Sequence, residues 1–441
     1  MDKERIAYCL AEMIRIPTVS SRQGTEEYRI RDYQARLKEL FPALFARAEV
    51  TEIGNALLLR LPGTDSSLLP VLFTGHMDVV PAEAEQWKVP PFEGRLEQDC
   101  VWGRGAIDMK GPHCTLLYAA NEIAASNTEL RREIYFYLSC DEETGGATTE
   151  LAAEHLRKQG VRFQAVFDEG GSIGENYLQR IPGRFAELGI AEKGSLQYEF
   201  TARAEGGHAA FPPKNAAIVS MAKFIAEIES VSLFRHEITQ EARYVLEGAM
   251  RLMSEPEQAQ LRSAMEAGEP FKELKEFWPA SSAMLGATIA FTLISGGTAF
   301  NVLPREVKLG ANVRASSNQS MEEITEILTQ AAARYGIECK CLSGGGASKV
   351  TSPDSWAYRT MEHCLTDVFP GIHVVPILLL GGTDSKHFQD LTEQTIRFSP
   401  VYLEPWQCVG VHGINECIYT ESLARGAEFY QRLMAEYIGK E

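Results

Sequence analysis

The chain has 441 residues, 45% of them hydrophobic, and 60 acidic against 43 basic residues give a formal net charge of −17. One hydrophobic core stops growing beyond roughly 250–300 residues, so at least two domains are expected. The acidic excess, unbroken by any basic run, argues against nucleic acid or a membrane surface as partner, and no apolar stretch approaches the ~20 residues that a membrane helix needs.

The first 13 residues are charged and then amphipathic, unlike a signal peptide. Up to about residue 45 two helices are predicted, from Ile6, Leu10, Met13 and Ile14 and then from Ile30, Tyr33, Leu37 and Leu40 at helical spacing. Short apolar runs at 56–61, 70–73, 134–138 and 165–167 read as strands, alternating with helices at 115–125 and 148–159. Near residue 192 the pattern changes. Leu196, Tyr198, Phe200 and Ala202 lie on one face of a half-exposed strand at 195–203. A helix at 216–228 follows, then a charged helical stretch at 236–275, strands at 287–294 and 307–313, a helix at 321–335 and a strand at 337–342. Gly344, Gly345 and Gly346 suit a hinge, and from Ser355 helix and strand alternate again. The expectation is an α/β domain, 1–191 plus 348–441, with a mostly parallel sheet and helices on both faces. An α+β insert at 192–347 interrupts it. The nine cysteines are scattered, Cys339 and Cys341 flanking one lysine, and read as reduced thiols of a cytoplasmic protein rather than as a zinc site.

Ligand sites in open α/β sheets lie beyond the carboxyl ends of the strands, and acids and histidines gather there. His76 and Asp78 follow one predicted strand, Glu142 and Glu143 another, and Asp168 and Glu169 a third. Asp108 lies in GRGAIDMKG (103–111), where the third glycine of a dinucleotide loop is missing and no strand leads in. His412 stands far along the chain. Taken singly, each is an ordinary loop residue. Together they make a set of nitrogen and oxygen donors for two metal ions, suited to zinc, cobalt or manganese. A phosphoryl-transfer site using magnesium is disfavoured by the two histidines and the absence of a Gly-Lys-Ser/Thr loop.

Seven motifs now stand in order: GHMDVVP (75–81), GRGAIDMKG, DEETGG (141–146), FDEGG (167–171), GGHAAFPP (206–213), FNVLP (300–304) and VHGINE (411–416). In this the chain resembles the aminoacylase, acetylornithine deacetylase, succinyl-diaminopimelate desuccinylase and carboxypeptidase family of co-catalytic zinc hydrolases, and its DEGG form looks most like the carboxypeptidase S branch. The resemblance implies two Zn2+ per chain, with Co2+ or Mn2+ as substitutes. His76 and Asp168 would hold one ion, Glu143 and His412 the other, and Asp108 would bridge; Glu169 is the alternative to Asp168. It further implies that Asp78 orients His76, that Glu142 is the general base and acid, and that His208 stabilises the oxyanion, often across a homodimer formed by the inserted lid domain. Asn301, Arg314, Gly382 and Thr383 resemble positions that bind the substrate's carboxylate. Lys386 stands where relatives often carry arginine, and His113 and His387 match no ligand. The implied activity is hydrolysis of an amide or peptide bond in a small peptide or N-acyl amino acid bearing a free carboxylate. The rival reading is a catalytically inactive binding protein on the same fold.

Overall fold

A computed structural model describes residues 1–21, 26–177 and 181–439. The chain forms two compact units, one of 1–191, 350–377 and 383–441, the other of 192–349 and 378–382.

The larger unit is built on an eight-stranded sheet in the order Glu49–Ile53, Ala56–Leu61, Ile134–Ser139, Val71–His76, Ala165–Tyr177, Thr395–Tyr402, Ile181–Glu192, His373–Leu379. Its centre is parallel: Val71–His76 pairs in parallel with Ile134–Ser139 and Ala165–Tyr177, which pairs in parallel with Thr395–Tyr402. Antiparallel pairings flank this centre. Val71–His76 and Ile134–Ser139 are buried at every position. Continuous apolar strands of this kind need cover on both faces. Side-chain alternation shows that they have it. Phe136 stacks with Phe73, which meets Tyr430 of the helix Thr420–Arg432 edge-on. Tyr137 points the other way, to Thr148 of the helix Ala147–Lys158 and to Phe388. The α/β architecture with parallel central strands and helices on both faces is therefore as expected.

Several elements differ in extent from the sequence-based expectation. The strand expected at 165–167 runs from Ala165 to Tyr177, and Ile181–Glu192 is a strand that the sequence pattern does not predict. Its run of Gly, Pro and charged residues hides a strand that forms through sheet neighbours rather than local propensity. The helix after Asp108 starts at Lys110, five residues earlier than its apolar run suggests, because the polar residues Lys110 and His113 are themselves buried.

The smaller unit carries a four-stranded antiparallel sheet in the order Thr288–Gly296, Glu306–Ala315, Gly194–Arg203, Ile337–Gly345. Leu196, Tyr198, Phe200 and Ala202 are all buried there, in one cluster with Met221 and Phe224 of Ala217–Ser230 and Ile324 and Leu328 of Met321–Ala333. Ser320 and Glu323 close a capping box at the start of Met321–Ala333, satisfying two backbone donors that would otherwise be orphaned. Three helices, Gln240–Met250, Glu255–Glu266 and Pro270–Phe277, occupy the charged stretch.

Candidate metal centre

His76 ends its strand, and its ring is fully enclosed. Nδ1 lies 2.8 Å from the Asp78 carbonyl oxygen and 3.5 Å from the Asp78 carboxylate. The backbone carbonyl therefore orients the ring. The Asp78 carboxylate acts elsewhere as well, accepting hydrogen bonds from the backbone N–H groups of Glu142 and Glu143, each at 3.2 Å. Asp141 accepts from Thr148 N at 3.0 Å at the start of the following helix, so the acidic turn is pinned at both ends.

On the open side of His76, Nε2 lies 3.0 Å from Asp108 Oδ1 and 3.3 Å from Glu169 Oε1. The other Asp108 oxygen, Oδ2, lies 3.0 Å from His412 Nε2, which is also 3.1 Å from Glu143 Oε2. One carboxylate thus faces two imidazoles, each with its own further acid. Ligand atoms of His76, Asp108 and Glu169 lie within 4.8 Å of one another, as do those of Asp108, Glu143 and His412. Glu143 Oε1 is buried without a hydrogen-bond partner among the described residues, an orphaned acceptor of the kind a cation satisfies. Nitrogen and oxygen donors without thiolate, in two groups sharing a carboxylate, fit a pair of divalent ions.

Asp168 does not join this cluster. Phe167 stacks on Phe73, and Asp168 is directed to the segment that carries Ser385. There its carboxylate accepts from Ser385 N at 2.7 Å and from Glu169 N at 2.8 Å. Glu169, expected only as the alternative, takes the place beside His76. The sequence favours Asp168 and keeps Glu169 as the alternative, and a two-residue acidic run at a strand end does not by itself decide between them.

Burial pulls the His76 imidazole down, but the Glu169 charge and hydrogen bonds to Asp108, Asp78 and Glu169 outweigh it and lift its pKa well above the usual value. Hydrogen bonds to Asp108 and Glu143 raise His412 to about 10. Burial opposes ionisation of Asp108, yet the two imidazoles hold its carboxyl well below the usual range. Burial raises Glu142 well above an ordinary carboxylate; the His76 charge pulls the other way, and the Glu169, Asp384 and Glu143 charges add to the rise. A carboxyl so shifted holds its proton more tightly than a solvated one, as a proton-transfer group requires.

Three further groups frame the centre. Lys110 is fully buried, with its ammonium over the Tyr33 ring and donating to the carbonyls of Met13 at 3.1 Å and Ile16 at 2.7 Å. His113 lies in the core behind the His76 strand, where burial and then the His76 and Lys110 charges lower its pKa to about 3, so it stays neutral. Gly146 has φ +71, and a Cβ there would sit 2.6 Å from Asp384 Oδ1, with the half-buried His387 ring next to it. Thr383 is buried, its hydroxyl 2.7 Å from that of Ser385, and Lys386 is exposed.

His208, Asn301, Arg314 and Gly382 belong to the smaller unit. His208 pairs with Val302, and both His208 and Asn301 line a hollow of about 610 Å³ with Arg305 and Glu306. Arg314 sits at the other end of the strand that starts at Glu306, opposite Ser195 and Thr288. At ~3.4 Å per residue the two ends are about 27 Å apart. Arg314 therefore does not converge with Asn301 within one chain.

A model of peptidase family M20/M25/M40 matches residues 72–436. The chain is 29% identical over 442 residues to the N-fatty-acyl-amino acid synthase/hydrolase PM20D1 of Xenopus tropicalis, covering 98% of this chain and 86% of that protein. It is 28% identical to probable carboxypeptidase S-like 1 of Dictyostelium discoideum, with 99% and 87% covered. Among solved structures, the M20 family metallo-carboxypeptidase Sso-CP2 of Sulfolobus solfataricus superimposes with a TM-score of 0.73 at 17% identity, over 99% of both chains.

Proposed function

The chain belongs to peptidase family M20/M25/M40, whose members are metal-dependent hydrolases of C–N bonds, and on that premise we propose that it cleaves the amide or peptide bond of an N-acyl amino acid or small peptide bearing a free carboxylate. The observation that carries this reading is Asp108, whose two oxygens each face an imidazole flanked by another acid. His76 and Glu169 would hold one divalent ion and Glu143 and His412 the other, with Asp108 shared. Zinc suits these donors, and Co2+ or Mn2+ would substitute. Such ions supply Lewis acidity, polarising the scissile carbonyl and bringing the pKa of water toward ~7.

Glu142 does the proton work. It accepts a proton from the attacking water as the new C–O bond forms, then returns it to the nitrogen as the C–N bond breaks. Its backbone N–H is anchored on Asp78, so the carboxyl is presented from a fixed turn. Arg314 and the Gly382–Thr383 segment are assigned to the substrate's carboxylate, with Asn301 and His208 completing the polar surround.

The about 27 Å between Arg314 and the His208–Asn301 hollow supports a homodimer in which these groups come to one substrate from different copies. On this reading the smaller unit is a lid and dimerisation domain. Among the described residues no helix is long and apolar enough to cross a membrane, and all nine cysteines are free thiols, which supports a reducing, cytoplasmic setting. Metal-loaded protein should be assayed against dipeptides, N-acetyl and long-chain N-acyl amino acids, each as free acid and as C-terminal amide. Cleavage confined to free acids is the expected result. Cleavage of acid and amide at equal rates, or of neither with two ions bound, would sink the proposal.

A further inference from the structure

Glu416 closes the VHGINE motif and has no part in the chemistry above. It is fully buried. Its Oε1 accepts from the backbone N–H groups of Ile107 at 2.6 Å and Asp108 at 3.0 Å, and its Oε2 from Gly105 N at 2.9 Å and Arg104 Nη1 at 2.8 Å. Gly103 N donates to the Glu416 carbonyl at 2.9 Å. The carboxylate is thus the hub around which the loop carrying Asp108 is wound.

Arg104 extends the hub to the other loop. Its Nη2 donates to the Gly413 carbonyl at 2.6 Å, Nη1 lies 3.5 Å from the Gly410 carbonyl, and the guanidinium lies over the Trp87 ring. Those carbonyls bracket His412, which holds the left-handed value φ +53 without being glycine, as does Asn415 at φ +59. Such conformations persist only where surrounding structure over-determines them. The flat fork of Arg104 supplies two of the bonds that do so.

We propose that Glu416 and Arg104 form a brace that sets the position of Asp108 relative to His412, and thereby governs affinity for the ion shared by Asp108, Glu143 and His412. This inference rests on the two-ion reading above. A buried charge pair is by itself weak grounds for stability, since replacement by apolar groups is often neutral. The use of this one lies in its targets: it binds the backbone of one ligand and the carbonyls around another. Groups that orient metal ligands typically change affinity 10–100-fold when lost.

The test uses metal-free full-length protein titrated with Co2+ alone, followed by calorimetry and by visible absorption, with thermal unfolding of the metal-free protein alongside. Arg104→Lys keeps the charge against Glu416 but loses the fork to the 410–413 carbonyls. One of the two Co2+ steps should drop by about tenfold or more while the other moves less than about threefold. Glu416→Gln removes acceptors from the Asp108 loop itself and should weaken both steps, with Glu416→Asp restoring part of the loss. If Glu416→Gln does not fold, Arg104→Lys decides alone. A general loss of stability would lower the melting temperature and leave the ratio of the two steps unchanged, which overturns the brace. So does a variant with both steps as in wild type. A wild type that takes up fewer than two Co2+ overturns the two-ion reading, and the brace with it.

Discussion

The metal-type centre of the larger unit and the His208–Asn301 hollow of the smaller one present their polar groups in opposite ways. His76, Asp78 and Glu416 are enclosed, and each is fixed by backbone donors or acceptors from a different strand or loop. His208 and Asn301 stand exposed, as do their neighbours Phe211, Phe300 and Val302. The first arrangement is preorganised before anything binds, which is what a site that must hold charges in fixed places requires. The second leaves apolar and polar groups open to solvent. Reactive geometry is stored in one region; in the homodimer proposed above, association would complete the other.

The sharpest way to break this contrast is at the centre. Glu142→Gln should keep two ions per chain by elemental analysis and lose kcat on the order of 10²–10⁴-fold, because only proton transfer is removed. Unchanged kcat would end the assignment, and loss of an ion would instead make Glu142 a ligand. Arg314→Ala should lower kcat/KM for free-acid substrates by roughly 2–4 kcal/mol, since a misplaced amide loses rate as well as binding. Arg314→Lys should recover only part, because lysine lacks the planar fork, and the C-terminal amide should barely respond to either change.

Glu169→Gln should weaken one ion by about 10–100-fold, whereas Asp168→Asn should leave ion affinity within about threefold and cost about 1–3 kcal/mol of stability through its mismatched hydrogen bonds. The opposite order of ion affinities would return Asp168 to the ligand set. For the other region, inactive His208→Ala mixed with inactive Glu142→Gln should regain about a quarter of wild-type activity once subunits exchange at random. A monomer with full activity excludes the arrangement. The smallest effect concerns protons. With His412 raised to about 10 and His76 raised well above its usual value, an incoming ion competes with protons for both imidazoles. Ion affinity should therefore fall as pH falls, and uptake in weak buffer should release on the order of one to two protons. Uptake without acidification would show that the imidazoles are already neutral.

The fold class was legible because strand and helix periods differ and because a short apolar run such as 70–73 announces a strand covered on both sides. Ile181–Glu192 was not legible, since its residues become a strand only through their neighbours. Within the centre, ordered motifs pointed to His76, Asp108, Glu143 and His412, which the structure brings together. Two adjacent acids at a strand end, Asp168 and Glu169, leave the choice between them open in the sequence; in the structure the Ser385 backbone N–H takes up the Asp168 carboxylate and Glu169 lies beside His76. Glu416 was in plain view within its motif. Its role is invisible in sequence because its partners are backbone N–H groups, which every residue but proline carries.

The Arg104–Glu416 bond also ties together positions 312 residues apart in the chain. At about 5–20 residues per second, a ribosome takes roughly 15–60 s to deliver Glu416 after Arg104 has emerged. For that interval the Asp108 loop has no hub to wind around, and its carboxylate faces a histidine not yet made. Ion capture in the final geometry is consequently a late event, gated by the segment that carries His412 and Glu416 rather than by the strands that carry His76 and Glu169. A chain cut shortly before Val411 would lack His412 and Glu416 together with the helix Thr420–Arg432 that covers one face of the sheet.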